Sequence, residues 1–167
     1  MGELKRSRIK NCIKIISLLI IVISISMPIV NVMDNNVSFS MIDFLKSNTI
    51  AIKANILGSI EDVTINYSKI AVILTLFSVI IAMIIMFIPF KKEIVKRRIN
   101  CILSILILLG LITSFASVKA SNDLLELRAG IGLYIGVVAL VIFSLFSIIK
   151  ESVPIIEINI YLVLLFV

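Results

Sequence analysis

Three carboxylates, Asp43, Glu61 and Asp62, are the residues of this chain whose type and proximity in sequence suit chemistry. Paired acids can exchange a proton with a substrate or hold a hard cation between them. Solvated loop charges make the same pattern far more often, and no partner for general acid–base work lies nearby. The chain has no histidine, and its two cysteines, Cys12 and Cys101, cannot make a four-ligand zinc cage between them. Both read as small apolar residues in helices on the reducing side of a membrane, where a structural disulfide is not expected. No phosphate-cradling glycine loop, zinc motif or nucleophile elbow occurs. The expectation is a protein that is not an enzyme and uses no metal and no cofactor.

The elements that would have to position those acids define the protein's class. Residues 15–33, 70–90, 99–118 and 131–149 are four apolar runs without an acidic residue. At about 1.5 Å per residue each is roughly 28 to 32 Å long as a helix, which matches the roughly 30 Å hydrocarbon layer of a bilayer. The composition agrees, at 60% apolar and 16% charged residues. The predicted fold is therefore an all-α membrane protein, a four-transmembrane-helix antiparallel bundle with a small extracytoplasmic loop domain between helices 1 and 2. The short connections 91–98 and 119–130 force neighbouring spans to run antiparallel. Intramembrane acids, which proton relays and coupled transport generally need, are absent from the runs.

The net charge of +6 falls in two clusters beside spans. Lys5, Arg6, Arg8, Lys10 and Lys14 precede the first; Lys91, Lys92, Lys96, Arg97 and Arg98 join the second to the third. Positive residues flanking spans stay in the cytoplasm, which predicts a multi-pass protein of the cell membrane with both termini cytoplasmic. It also gives the charge a topological role and excludes a nucleic-acid partner. Lys14 is expected to snorkel from the edge of its span to the headgroups. The order is then a basic N-terminus 1–14, an outer loop 34–69, a basic inner loop 91–98, an outer loop 119–130 and a cytoplasmic tail 150–167. The start Met1 to Ser26 reads as a retained helix rather than a cleaved leader. The apolar end of the tail reads either as an interfacial segment or as part of a fifth span.

In lipid, helices associate through close packing and buried polar bonds, so small residues mark the contact faces. Ala71, Ser78 and Ala82 form one such stripe, and Gly110 and Ser114 another. Gly132 and Gly136 form a GxxxG pair that Ala139 extends. This last face can pack within the bundle or drive homo-oligomerisation. Pro28 near the end of the first span leaves the Ser24 carbonyl without its helical partner. In the outer loop, Ser40 is placed to cap a short helix with Met41, Phe44 and Leu45 on one face. Residues 49–56 and 63–67 alternate as two strands, and helix and strands together suggest a lid on the bundle.

Three stretches, Ser26-Met27-Pro28-Ile29-Val30, Val37 to Phe44 and Gly130 to Gly136, resemble in order and spacing the small four-span membrane proteins common in bacteria. Those are similar in layout to claudins, although this chain lacks the tryptophan and the paired outer-loop cysteines of that family. The resemblance implies four spans and the outer-loop topology; it implies no junction-forming role. Beyond the lipid bilayer, the partner expected is another membrane protein or a second copy. Three roles follow as expectations: a passive accessory or toxin-immunity component, a pore-forming or holin-like protein assembling through Gly132 and Gly136, or a small subunit of a transporter.

Overall fold

A helix in lipid satisfies its own backbone, so the long apolar runs have one economical conformation. The structure, a computed structural model, describes residues 2–33, 37–46, 49–56, 59–88, 93–120 and 127–148. Its elements in chain order are α1 (Gly2–Ser26), β1 (Pro28–Val32), β2 (Val37–Ser40), α2 (Met41–Lys46), β3 (Thr49–Ile56), β4 (Ser59–Asn66), α3 (Lys69–Phe87), α4 (Glu93–Ala120), β5 (Leu127–Ala129) and α5 (Ile131–Ile148). Four segments are long and apolar enough to cross a membrane: Arg8–Ser26, Lys69–Phe87, Glu93–Lys119 and Ile131–Ile148, with mean hydropathies of 2.0, 3.0, 2.5 and 2.5. The chain is a multi-pass membrane protein built as a four-helix bundle, with strands and one short helix gathered between the first and second spans.

The bundle is a ring in which α1 packs most closely on α5 and α3 on α4, while α4–α5 and α1–α3 contacts complete the circuit. Its outer surface is apolar. On α3, Ile70, Ile73, Phe77, Ile80, Ile84 and Phe87 are all exposed, at steps of three and four that make one continuous stripe. On α4, Ile102, Ile105, Leu109 and Ile112 do the same. Such stripes would be aggregation sites in water and are what a lipid-facing surface requires. Inside the ring, Leu18, Ile21, Val72, Val79, Ile107, Leu111, Leu140 and Phe143 fill the space between helices.

The first span ends earlier than its apolar pattern suggests. α1 stops at Ser26, and Pro28–Val32, which hydropathy assigns to the same span, forms β1. The physical cause is Pro28, which bars helical geometry for Met27 and brings no N–H of its own. The Met27 amide turns back onto the Ser24 carbonyl at 3.1 Å, and the β-branched Ile29, Val30 and Val32 then suit a strand. β1 lies at the centre of a three-stranded antiparallel sheet, β2-β1-β5. Val30 pairs with Phe39 on one side and with Ala129 on the other, and the register on the β2 side shifts between Pro28 and Val30. β3 and β4 form a separate antiparallel hairpin in which Thr49 pairs with Asn66 and Ile56 with Ser59. This brings a strand from the short second connection, β5, into the layer formed by the first.

Of the segments read from sequence, Lys91, Lys92 and the tail 150–167 lie outside the described residues.

Candidate functional site

The two ends of the bundle differ, and each collects a distinct group of residues. At the end carrying the strands, Ser40 closes a reciprocal cap on α2. The Ser40 amide and hydroxyl donate to Asp43 Oδ2 at 3.0 and 2.8 Å, and the Asp43 amide donates to Ser40 Oγ at 3.3 Å. Lys46 Nζ adds an ion pair to Asp43 Oδ1 at 3.2 Å. The Ser40 N–H holds the Asp43 carboxyl below its ordinary value; burial opposes this, and the Ser40 hydroxyl and Lys46 reinforce it. Asp43 is therefore a structural acid. Glu61 and Asp62 occupy consecutive positions of β4, in register with Ala54 and Lys53. Among the described residues, no group of three or more Cys, Asp or Glu is placed to hold a metal ion.

The α2 face differs in one residue from its sequence pattern. Met41 and Phe44 are fully buried, whereas Leu45 is exposed. Phe44 lies between Tyr67 and Phe39, with ring centroids 4.4 and 6.3 Å away. This stack ties α2 to β2 and to Tyr67, two residues before the start of α3. Ser68 caps α3 by accepting from the Ala71 amide at 3.4 Å, and its own amide donates to Ser117 Oγ at 3.0 Å, joining α3 to the end of α4. On the opposite side of this end, the Gly130 amide donates to the Ile29 carbonyl at 2.9 Å and so carries β5 directly into α5. The three-stranded sheet thus continues directly from α1 and is bonded to the start of α5, while α2 packs on α3, whose cap is bonded to α4.

The small residues singled out in the sequence sit inside the bundle: Ala71, Ser78, Ala82, Ser114, Gly132, Gly136 and Ala139 are all buried, as is Gly110. A Cβ on Gly132 would lie 2.7 to 2.9 Å from the carbonyl oxygens of Ser24, Met27 and Pro28, and one on Gly136 would lie 2.8 Å from Ser24 Oγ. The GxxxG face is thus covered by α1. Gly110 performs the same service on the other seam, where a Cβ would strike the Thr75 hydroxyl. Hydroxyls in these seams bond to their own helices: Ser24 to Ile21 O at 2.7 Å, Thr75 to Ala71 O at 2.9 Å and Ser114 to Gly110 O at 2.7 Å.

The opposite end is basic. Arg8 and Arg98 are exposed, and Lys5 and Arg6 lie in the first turns of α1. Lys96 is half-buried and donates to the Met86 carbonyl at 3.2 Å, bonding α4 to the end of α3. Lys10 and Lys14 depart from expectation: they are 1% and 5% exposed, so Lys14 faces the bundle rather than snorkelling outward. The missed signal was helical spacing, since Lys10, Lys14, Ser17, Ile21 and Ser24 share one buried stripe. Asn100, Ser104 and Ser147 are buried at the same end. Among the described residues, Asn11 Oδ1, Asn100 Oδ1, Ser147 Oγ and the Nε of half-buried Arg97 have no hydrogen-bond partner. Cys12 and Cys101 are free thiols, the first exposed and the second half-buried.

No known protein family, curated protein or solved structure matches this chain. What the fold defines is a class, the four-span helical membrane proteins, here with a strand platform at one end and buried polar groups at the other.

Proposed function

We propose that the protein is a passive component of a bacterial cell membrane, an accessory or toxin-immunity-type protein that acts through its strand platform and performs no reaction. The observation that carries this reading is the use of the Gly132–Gly136 face: it is packed against Ser24, Met27 and Pro28 of its own chain, so the motif most suited to building an oligomer serves the monomer's interior. The platform supports it further, because it is bonded to the start of α5 and exposes Arg128 and Ser38 on the two strands that flank β1, each in register with Asn31. In this proposal Arg8, Lys96, Arg97 and Arg98 hold the basic end in the cytoplasm, so the platform faces outward and both termini face inward. The layout then agrees with the claudin-like order of elements in small bacterial four-span proteins.

Membrane potential tests this directly. With a voltage-sensitive dye and expression from a tight inducible promoter, the proposal expects a steady potential. Collapse on induction would overturn it in favour of a pore. Protection is the positive test. Deleting the protein should sensitise the cell to a toxin encoded beside it, and an Arg128→Glu variant inserted at normal level should fail to restore resistance. Unchanged sensitivity to every such toxin would remove the immunity reading.

A further inference from the structure

The short helix α2 is apolar on two sides, and only one of them is buried. Met41 and Phe44 are enclosed, while Ile42 and Leu45 are exposed. At 3.6 residues per turn, Ile42 and Leu45 centre about 100° round the helix from the direction that Met41 and Phe44 share. Asp43 falls outside that sector, where it holds the Ser40 cap and meets Lys46. The helix therefore carries an apolar flank beside the face that fixes it and a polar flank on the other side. Water offers such a flank nothing, whereas a membrane interface suits it.

The position of α2 decides what meets the flank. The helix packs on both α3 and α1, and the Phe44 ring stacks on Tyr67 with centroids 4.4 Å apart. Tyr67 stands two residues before Lys69, where the second spanning segment begins. This sets α2 level with the entry of α3 into the hydrocarbon, at the headgroup boundary that tyrosine favours. The lipid-facing stripe of α3 starts in that same turn, with Ile70 80% exposed, and the stripe of α1 runs up through Leu19 and Ile23.

We infer that α2 is an interfacial helix whose Ile42 and Leu45 enter the headgroup–acyl boundary of the leaflet at the strand end. The lipid-contacting surface of α1 and α3 continues onto the platform, which rests on the membrane at this side instead of standing clear of it. Lys46, exposed at the end of α2, has the stem length to keep its ammonium among the headgroups. The inference does not depend on the passive role proposed above. It narrows where a protein partner can dock, because lipid occupies the α2 flank.

The chain has no tryptophan, so a single introduced one reports alone. The test uses full-length Leu45→Trp and Ile42→Trp in phosphatidylcholine vesicles, with N-acetyl-tryptophanamide as the aqueous reference. The expected result is blue-shifted emission from both variants, quenched about twofold by phosphatidylcholine brominated near the top of its acyl chains and little by aqueous iodide. Iodide quenching equal to that of the reference, with none from the brominated lipid, would overturn the inference. Protection from both quenchers that is lost as the protein is diluted in lipid would also overturn it, by placing a second copy on the flank. If the tryptophan variants fail to fold, Leu45→Ser, which adds no bulk, should speed amide exchange in α2 severalfold in the same vesicles. An unchanged rate there would overturn the inference as well.

Discussion

The strand end and the basic end of this bundle solve opposite problems. At the strand end the chain leaves the regular helix, and each departure is answered by a bond: the Gly130 amide on Ile29, the Ser68 amide on Ser117, the Asp43 carboxylate on Ser40. Among the described residues of the basic end, Asn11, Arg97, Asn100 and Ser147 each bury a polar atom without a hydrogen-bond partner. Saturated polar groups fix a shape, and the strand end is the one whose shape its own bonds fix.

The comparison is most exposed to failure at Phe44. Phe44→Ala removes the centre of the aromatic stack at a fully buried position and should cost about 3–5 kcal/mol. Because the stack belongs to the platform, hydrogen exchange should accelerate in residues 37–66 while α4 and α5 stay protected. Uniform acceleration across all four spans would show that the two ends do not unfold separately. Next is Gly132→Leu, whose side chain would press on the backbone oxygens of Ser24, Met27 and Pro28, at and just beyond the end of α1, which cannot turn aside. Overpacking of this kind should cost about 1–3 kcal/mol or more, read as a lowered midpoint of thermal unfolding in detergent. An unchanged midpoint would mean that α5 does not lean on α1 as described.

Ser40→Ala should be smaller, about 1 kcal/mol, since it removes a hydroxyl cap from a short helix while Asp43 keeps the Ser40 amide. It is measured as local exchange in α2. The smallest effect is a pH dependence. Asp43 is held below its ordinary value of 3.8, so its contribution to the platform is present above that pH and fades as the pH falls through the depressed value. Acid titration of exchange in α2 should therefore show loss of protection only on the acid side of 3.8, and Asp43→Asn should abolish that dependence.

Much of the fold was legible because it rests on local or one-dimensional signals. Four apolar runs of membrane length gave four spans, Ser40 gave the cap on α2, and alternation gave the strand at 49–56 and only the second half of β4, which starts at Ser59 rather than Val63 and ends at Asn66. What escaped depends on partners far away in the chain. An apolar stretch such as Pro28–Val32 reads equally well as helix or buried strand, and the break at Pro28 together with pairing to β2 and to Leu127–Ala129 decides it. β5 itself has three residues, too few to show a period. At the basic end the charges were visible but their direction was not. Flanking position accounts for topology, while the burial of Lys10 and Lys14 follows from the helical stripe they share with Ser17 and Ser24. The open atoms on Asn100 and Ser147 appear only once α4 and α5 are set side by side.

The pairing of β1 with β5, continued by α1 against α5, has a consequence in time. Synthesis proceeds from the N-terminus, so α1 and the centre strand of the sheet enter the membrane long before their partners exist. Until the fourth span arrives, β1 has a bare edge and the Ser24, Met27 and Pro28 carbonyls face no glycine. The ring is sealed only when α5 packs on α1 and α4. A chain stalled before Gly130 would therefore hold three spans in the bilayer with its seam open, a form that surveillance in the membrane could recognise and remove.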